Sequence, residues 1–374
     1  MVMRNVVVVG AGAAGLAVAA RLTARGVDCV VLERGPGVAT SWRGRYDRLR
    51  LHTTRRLSGL PGFPIPREYG RWVRRDDLVS YLEAYARRFD VDVRTGQEVK
   101  RIERSADGSW SVRLTDGSGH AAGTVVVATG YLHTPVVPDW PGRDAWRGTL
   151  VHSAEYRDAE PFRGMDVLVA GVGNSGAEIA GDLAAGGASS VSLAIRTPPH
   201  IVPRATAGWP AQLSGILFGR LPARILDPLA AASARAAIPD LRRYGLERPT
   251  DGLGTRLRAS RYVPVQDVGI VRDVMTGRVR PVAAVRGFTE TGVHLADGRT
   301  LRPDAVVAAT GYGTGLRDLF DDAALFDETG VPHVHAGRPA RPGLFFIGYD
   351  VTLGGLLRKV AIESRQVARR IAAG

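Results

Sequence analysis

The feature of this sequence that most constrains its fold is a segment that occurs twice, at residues 6–33 and 167–196. Each copy has a short run of β-branched residues, a glycine turn, a stretch of small apolar residues and a second apolar run. Uninterrupted apolar runs are typical of strands that are covered on both faces, as in parallel sheets. The pattern therefore predicts two βαβ units.

The two glycine turns share the spacing Gly-x-Gly-x-x-Gly between a strand and a helix. The first glycine permits the tight bend, the second lets a pyrophosphate approach the backbone, and the third lets helix and strand pack closely. Free N–H groups and the helix dipole then bind the anion. Each copy is predicted to bind a dinucleotide in a Rossmann-like domain. The residues are Gly10, Gly12 and Gly15 in the first copy, and Gly171, Gly173, Asn174, Ser175 and Gly176 in the second.

The residue after the second strand differs between the copies and separates their ligands. In the first copy this residue is Glu33, followed by Arg34. A carboxylate there accepts hydrogen bonds from ribose hydroxyls and repels a 2′-phosphate, which favours FAD or NAD. In the second copy the residue is Arg196, whose guanidinium can pair with a 2′-phosphate, and this favours NADPH. The alternative is that Arg196, one of many arginines, stands there by chance.

The repeat extends beyond the βαβ units. Each unit is followed by a predicted hairpin and then by an apolar strand that ends in Thr-Gly, at Thr129-Gly130 and at Thr310-Gly311. We expect an α/β protein with two Rossmann-like domains, the second inserted in the first. The expected boundaries are 1–145 and 279–374 for the FAD-binding domain, and 146–278 for the NADPH-binding domain with a substrate-side insertion at 197–261.

Charge and cysteine content restrict the function further. A formal net charge of +13 can indicate a nucleic-acid binder, but the arginines are scattered, which favours a solvated surface and anionic small molecules over nucleic acid. The single cysteine, Cys29, excludes an internal disulfide relay. No metal site is expected. No run of about 18 apolar residues predicts a transmembrane helix, so we expect no stable membrane insertion and a cytoplasmic location.

One apolar stretch, at residues 209–238, has two interpretations. It is rich in alanine and leucine and is interrupted by Arg220, Arg224 and Asp227. It can form a membrane-surface helix or a helix that covers an internal cavity. Its three prolines favour the second interpretation.

The segment that joins the two halves carries a recognisable pattern. Trp146, Gly148, His152 and Tyr156 resemble the fingerprint of the class B flavin monooxygenases, with Trp146 in place of the usual Phe. Tyr156 favours the flavin-containing monooxygenase branch over the Baeyer–Villiger branch. Further segments are similar to the plant YUCCA flavin monooxygenases and their bacterial relatives, and together they cover nearly the whole chain: 41–43, 46–52, 60–66, 81–89, 263–269 and 343–349.

This resemblance implies a mechanism. NADPH reduces FAD, the reduced flavin reacts with O2 to form a C4a-(hydro)peroxyflavin, and bound NADP⁺ shields that adduct from water. The oxygen goes to an amine or sulfide, or is used in the oxidative decarboxylation of a 2-oxo acid such as indole-3-pyruvate. His52 stands where amine-oxidising members have Asn, and either a chemical or a packing role is open to it. Trp42 and Gly348 lie in segments that the resemblance places against the flavin.

Two other functions remain open from the sequence. The first is an O2-independent NADPH:flavin reductase acting on a quinone or electron carrier. The second is a redox sensor that binds both cofactors without turnover. The expected partners of an oxygenating enzyme are a small-molecule substrate and O2, with the chain a monomer or a homodimer.

Overall fold

The computed structural model describes residues 2–373, with side chains from Asn5 to Ala373. The strands are β1 (Val2–Val9), β2 (Cys29–Leu32), β3 (Val93–Arg94), β4 (Val99–Arg104), β5 (Trp110–Leu114), β6 (Gly119–Val127), β7 (Thr134–Pro135), β8 (Thr149–His152), β9 (Asp166–Ala170), β10 (Ser190–Ile195), β11 (Ile201–Pro203), β12 (Ala205–Thr206), β13 (Trp209–Pro210), β14 (Val265–Asp267), β15 (Arg280–Ala283), β16 (Val285–Phe288), β17 (Val293–Leu295), β18 (Thr300–Leu301), β19 (Ala305–Ala308), β20 (Tyr312–Gly313), β21 (Pro339–Arg341) and β22 (Leu344–Phe346).

Helices α1 and α4 each connect two strands of a βαβ unit, as the repeated pattern predicts. The helices are α1 (Ala13–Thr23), α2 (Thr40–Arg43), α3 (Arg75–Arg88), α4 (Asn174–Gly186), α5 (Ala211–Phe218), α6 (Ala223–Ala237), α7 (Leu253–Ser260), α8 (Ile270–Met275) and α9 (Leu356–Ala372). Short 3-10 turns lie at Arg55–Leu57, Arg67–Tyr69, Arg143–Ala145, Glu160–Phe162, Arg242–Tyr244, Leu316–Asp318 and Ala323–Leu325.

The first compact unit comprises the described residues within the ranges 1–44, 49–134 and 312–374. Its main sheet has the order β21-β22-β6-β1-β2-β3, in which β1 pairs in parallel with both β2 and β6. Alternate residues of β1 enter two different cores: Val6 and Val8 pack among α1, α3 and α9, whereas Val7 and Val9 pack among β5 and the segment around Phe346. Because alternate residues of a strand face opposite sides, this sheet is covered on both faces.

The second unit comprises residues 45–48 and 135–311. Its five-stranded sheet has the order β15-β10-β9-β19-β8, and every pairing in it is parallel. Helix α4 packs on β9, β10 and α8. A small core on this sheet brings Trp146 and Phe288 against Leu168 and Val306. The three strands β16, β17 and β18 form an antiparallel sheet of their own.

The two Rossmann-like units confirm the predicted fold class, but the expected return of the chain to the first domain at residue 279 was wrong. Strands β15 and β19 both lie in the second sheet, where β19 pairs with β9. The chain returns to the first unit at Tyr312, and it leaves the first unit at Pro135 rather than at residue 146. The pairing of β19 with β9 matches that of β6 with β1 in the first unit. Each unit is therefore completed by its own Thr-Gly strand.

None of the helices in residues 2–373 is long and apolar enough to cross a membrane. The cytoplasmic location and the choice between monomer and homodimer stay predictions.

Candidate dinucleotide sites

The glycine turn of the first unit is built by two close backbone approaches. A Cβ atom at Gly15 would lie 1.9 Å from the carbonyl oxygen of Gly10, and one at Gly10 would lie 2.8 Å from the carbonyl oxygen of Ala128. Gly10 also has a φ of +102°, which disfavours any other residue there. These contacts hold the start of α1 against the ends of β1 and β6.

The turn of the second unit repeats this geometry almost atom for atom. A Cβ at Gly176 would lie 2.0 Å from the Gly171 carbonyl oxygen, and one at Gly171 would lie 2.5 Å from the Ala309 carbonyl oxygen. The similarity of the two turns reflects the shared spacing of the glycines rather than similarity in the other residues. Both turns place the first turn of a helix at the carboxyl end of a parallel strand.

The residues present in both turns fit a pyrophosphate. A Cβ at Gly12 or at Gly173 would meet no atom within 4 Å, so the backbone there faces open space. Neither α1 nor α4 has a side-chain hydrogen bond at its N-cap or an acidic residue in its first turn. The leading N–H groups of a helix lack intrahelical acceptors, and those of α1 and α4 are therefore donors available to an anion.

Glu33 holds the first turn from the end of β2. Its side chain is buried, and its two carboxylate oxygens accept hydrogen bonds from the N–H of Ala11 at 2.8 Å and of Gly35 at 2.9 Å. A carboxylate oxygen has two lone pairs, so each one keeps an acceptor site after these bonds. The position fits a ribose whose hydroxyls donate to Glu33, as predicted for FAD.

Two arginines at the ends of the second strands, Arg34 and Arg196, are exposed. Arg34 follows Glu33, and Arg196 follows β10. Within the described part of the chain, Arg196 makes no hydrogen bond or ion pair. A guanidinium at this strand end, not committed to a carboxylate, can pair with a 2′-phosphate.

The Thr-Gly strand ends lie beside the glycine turns in both units. The Thr129 hydroxyl is 2.8 Å from the hydroxyl of Tyr349, a fully buried residue whose pKa is raised by burial. The Thr310 hydroxyl donates to the carbonyl oxygen of Val136. Gly130 and Gly311 follow with positive φ, and a Cβ at either would meet no atom within 4 Å. These turns offer backbone to a ligand at the same edge as the glycine turns.

The linker pattern is explained by packing and hydrogen bonds within the second unit. A Cβ at Gly148 would lie 2.2 Å from the Trp146 ring, so this glycine leaves room for the indole. His152 is buried: its Nδ1 accepts from the Ala154 N–H at 3.1 Å, and its Nε2 lies 3.1 Å from the Gly311 carbonyl oxygen. A ring nitrogen that accepts leaves the other to carry the proton, so Nε2 donates to Gly311.

Burial lowers the pKa of His152, which keeps the ring neutral and suits this hydrogen-bonding pattern. Tyr156 donates to Asp182 Oδ2 on α4 at 2.8 Å. The linker thus ties the glycine-turn helix and the Thr310-Gly311 turn together. This arrangement gives His152 a positioning role and supplies no base.

Asn174 and Ser175 of the second turn have internal partners. The Asn174 side chain accepts from the N–H of Gln266 at 2.8 Å and donates to the carbonyl oxygen of Pro264 at 3.2 Å. The motif at 263–269 is therefore held against the start of α4. Ser175 hydrogen-bonds to the buried Tyr46, whose pKa is raised well above its usual value, mainly by burial.

His52 and Trp42 lie in the first unit. Trp42, on α2, packs against the core beneath α3. His52 is half-buried in the loop after Leu51, whose N–H donates to the Val73 carbonyl oxygen at 2.8 Å. The next residue, Thr53, lies 2.8 Å from the Ser58 hydroxyl. The loop around His52 is thus well anchored, and its role toward the flavin stays a prediction.

Sequence reasoning missed the group behind Gly348. Glu363, on α9, is fully buried, and its Oε2 accepts from the Gly348 N–H at 3.2 Å. The Lys359 ammonium lies 3.9 Å from Glu363 Oε1 and 2.5 Å from Asp350 Oδ2. Glu363 falls on the apolar face of α9, together with Val360 and Val367, and this helical spacing was the signal that could have revealed it.

Comparisons with known proteins agree with this geometry. The family model of the pyridine nucleotide-disulphide oxidoreductases matches residues 7–205. Indole-3-pyruvate monooxygenase YUCCA1 of Oryza sativa subsp. japonica is 38% identical over 358 residues, covering 94% of this chain and 87% of the relative.

Two solved structures are similar in fold. A flavin-containing monooxygenase from Stenotrophomonas maltophilia has a TM-score of 0.75 at 24% identity, covering 100% of this chain and 99% of its own. OTEMO in complex with FAD and NADP also has a TM-score of 0.75, at 19% identity, covering 99% of this chain and 85% of its own.

The buried Glu363 predicts a specific dependence of stability on pH. Burial raises its pKa to about 7 from 4.5, so the folded protein holds a proton that the unfolded chain releases at lower pH. The contribution of Glu363 to stability therefore falls as the pH rises from 4.5 to 7. The Glu363→Gln side chain does not titrate, so its contribution to stability does not change over this range. We therefore expect the unfolding free energy of Glu363→Gln, relative to that of the wild type, to increase by about 3 kcal/mol between pH 4.5 and 7.

The measurement is denaturant unfolding of both proteins, with flavin bound, across this pH range. Glu328→Gln, at an exposed position, is the matched control and should follow the wild type. A difference between Glu363→Gln and wild type that stays constant with pH would contradict the interpretation.

Proposed function

This chain belongs to the pyridine nucleotide-disulphide oxidoreductase family and, within it, to the class B flavin monooxygenases related to YUCCA, and we propose that it oxygenates a 2-oxo acid such as indole-3-pyruvate. The enzyme is an FAD- and NADPH-dependent monooxygenase. In the proposed reaction R–CO–COOH, O2, NADPH and H⁺ give R–COOH, CO2, NADP⁺ and H2O. The bond between the two carbonyl carbons breaks, and one oxygen atom of O2 enters the acid.

The observation that carries the substrate class is the similarity to the rice indole-3-pyruvate monooxygenase, which extends over nearly the whole chain. FAD supplies the reaction with electron transfer from NADPH and with activation of O2. The chain's own residues would bind the two cofactors and orient them. The first glycine turn and Glu33 would hold FAD, and the second glycine turn and Arg196 would hold NADPH.

The protein's lone cysteine fits this chemistry and separates it from disulfide reduction. Cys29 is buried in β2, and burial raises the pKa of its thiol. A buried, protonated thiol is a poor nucleophile, and a disulfide relay requires a second cysteine that the sequence lacks. What this chain shares with the pyridine nucleotide-disulphide oxidoreductases is therefore the binding of nucleotides and not the reduction of a disulfide.

His52 is the proposed contact to the reacting oxygen or to the substrate carboxylate. An imidazole can donate a hydrogen bond to either group in the interior of a protein. Its loop is anchored by the Leu51 and Thr53 hydrogen bonds, which would hold the ring in place. A ring that serves only for packing is the alternative that the variants below distinguish.

We expect Arg196→Gln to weaken NADPH specifically. Loss of a charge-assisted contact to the 2′-phosphate costs about 1.5–3 kcal/mol, so the KM for NADPH should rise about 10- to 100-fold while the KM for NADH changes little. The control is Arg302→Gln, which removes an exposed arginine just before β19. An unchanged ratio of the two KM values would remove Arg196 from cofactor selection.

We expect His52→Ala to uncouple NADPH oxidation from oxygen transfer, because the hydrogen bond to oxygen or substrate is lost. The ratio of hydrogen peroxide released to NADPH consumed should rise severalfold. His52→Asn keeps an N–H donor and should release less peroxide than His52→Ala. Equal peroxide ratios in wild type and His52→Ala would assign His52 to packing alone.

The substrate class is tested with the purified holoenzyme, NADPH and O2. Indole-3-pyruvate and phenylpyruvate are compared with amines and sulfides, and NADPH oxidation, O2 consumption, CO2 and product are measured together. We expect about one acid and one CO2 per NADPH from the 2-oxo acids. Oxygenated amines or sulfides with inert 2-oxo acids would overturn the substrate class. NADPH oxidation by a quinone without O2, and no oxygenated product, would favour the reductase.

A further inference from the structure

The outer surface of α5 and α6 in the second unit is strongly apolar. In the described part of the chain, Gln212 is the buried residue of α5 and Leu226 is the buried residue of α6. Five large apolar side chains of this segment are instead exposed. Their exposed fractions are 50% for Trp209, 58% for Leu217, 48% for Phe218, 41% for Ile225 and 54% for Leu229. We call these five residues the apolar patch.

The patch continues along one face of α6. Ile225 and Leu229 are four residues apart and therefore neighbours on the helix surface. Arg224, Pro228 and Arg235 are exposed with them, along with alanines at 231, 232 and 236. The Trp209 indole N–H donates to Ser214 at 3.1 Å, so this ring lies against the first turn of α5. The interpretation that residues 209–238 cover an internal cavity does not explain why these apolar side chains are exposed.

The exposed charged residues of the segment 205–239 are all arginines. Residues 205–239 contain Arg220, Arg224 and Arg235, and their one acidic residue is Asp227. The Asp227 carboxylate is turned toward α7, where it accepts from the Gly254 N–H and the Thr255 hydroxyl, both at 2.6 Å. The outward surface thus combines exposed apolar side chains with arginines and presents no carboxylate from this segment.

We propose that the apolar patch and its arginines bind reversibly to an anionic lipid bilayer. Apolar side chains with arginines at their margin, and an indole among them, are the composition that suits the interface of a membrane. Each arginine near an anionic surface adds about 1 kcal/mol to binding, or about fivefold in affinity. The arrangement lies on the membrane and does not span it.

The positive charge also disfavours the binding of a second copy of the chain to the apolar patch. A two-fold dimer places the same patch on both sides of the interface, so Arg220, Arg224 and Arg235 of one copy would meet the same arginine-rich surface of the other. The whole chain carries a formal charge of +13, which adds to this repulsion. Binding to an anionic surface avoids both the repulsion between the arginines and the repulsion between the net charges. This inference does not depend on the substrate class proposed above.

The test is co-sedimentation of the holoenzyme with vesicles of phosphatidylcholine, with and without phosphatidylserine. We expect binding to the vesicles with phosphatidylserine, and a decrease in that binding as salt is raised. Arg220→Glu with Arg224→Glu should weaken it about tenfold or more, and Leu217→Ser with Leu229→Ser should do so as well. Flavin absorbance and the melting temperature show that each variant is folded.

Matched controls change residues of the same kind elsewhere. Arg87→Glu with Arg302→Glu carries the same charge change, and Met275→Ser with Ile362→Ser removes two exposed apolar side chains. The controls should bind like the wild type. Absence of binding to anionic vesicles, or equal loss in patch and control variants, would overturn the proposal. A dimer in sedimentation velocity that Leu217→Ser with Leu229→Ser dissociates would assign the patch to self-association and also overturn it.

Discussion

In each βαβ unit a glycine lies so close to a carbonyl oxygen that the start of the helix, the strand end and the glycine turn are fixed together. The Cβ that Gly15 and Gly176 lack would lie about 2 Å from the carbonyl oxygen of the first glycine of their turn. Only a residue without a side chain lets the helix begin so near the strand. The consequence is a helix N-terminus without a side-chain cap beside open backbone at Gly12 and Gly173, an arrangement that fits a phosphate.

Since both units use the same turn, the proposed difference in ligand rests on the side chains around it. Glu33 is buried and braces its own turn through Ala11 and Gly35, which suits a ribose with free hydroxyls. Arg196 is exposed after the equivalent strand. The linker then fixes the second turn through His152 and Tyr156, both of which form hydrogen bonds within that unit. We therefore propose that side chains at the strand ends select the nucleotide and that the glycines make room for it.

The two βαβ units, both hairpins and the Thr-Gly strands were predictable, because each depends on local spacing that the sequence displays. The return of the chain at Tyr312 was not recognised, because β19 is an apolar strand that fits either sheet and its pairing with β9 is a long-range contact. The repeat itself held the answer, since β6 completes the first unit in the same way. Glu363 was missed because a lone carboxylate in a helix is usually solvated, and only its phase with Val360 and Val367 reveals its burial.

Titration of FAD and of NADP⁺ against two alanine variants tests our proposal that the first turn binds FAD and the second binds NADPH. A methyl group at Gly12 or Gly173 meets no protein atom, so both variants should fold, while the methyl intrudes where the pyrophosphate would lie. We expect Gly12→Ala to lower FAD content and retain NADP⁺ affinity, and Gly173→Ala to raise the Kd for NADP⁺ and retain FAD. Loss of FAD in Gly173→Ala with unchanged NADP⁺ binding would contradict the proposal.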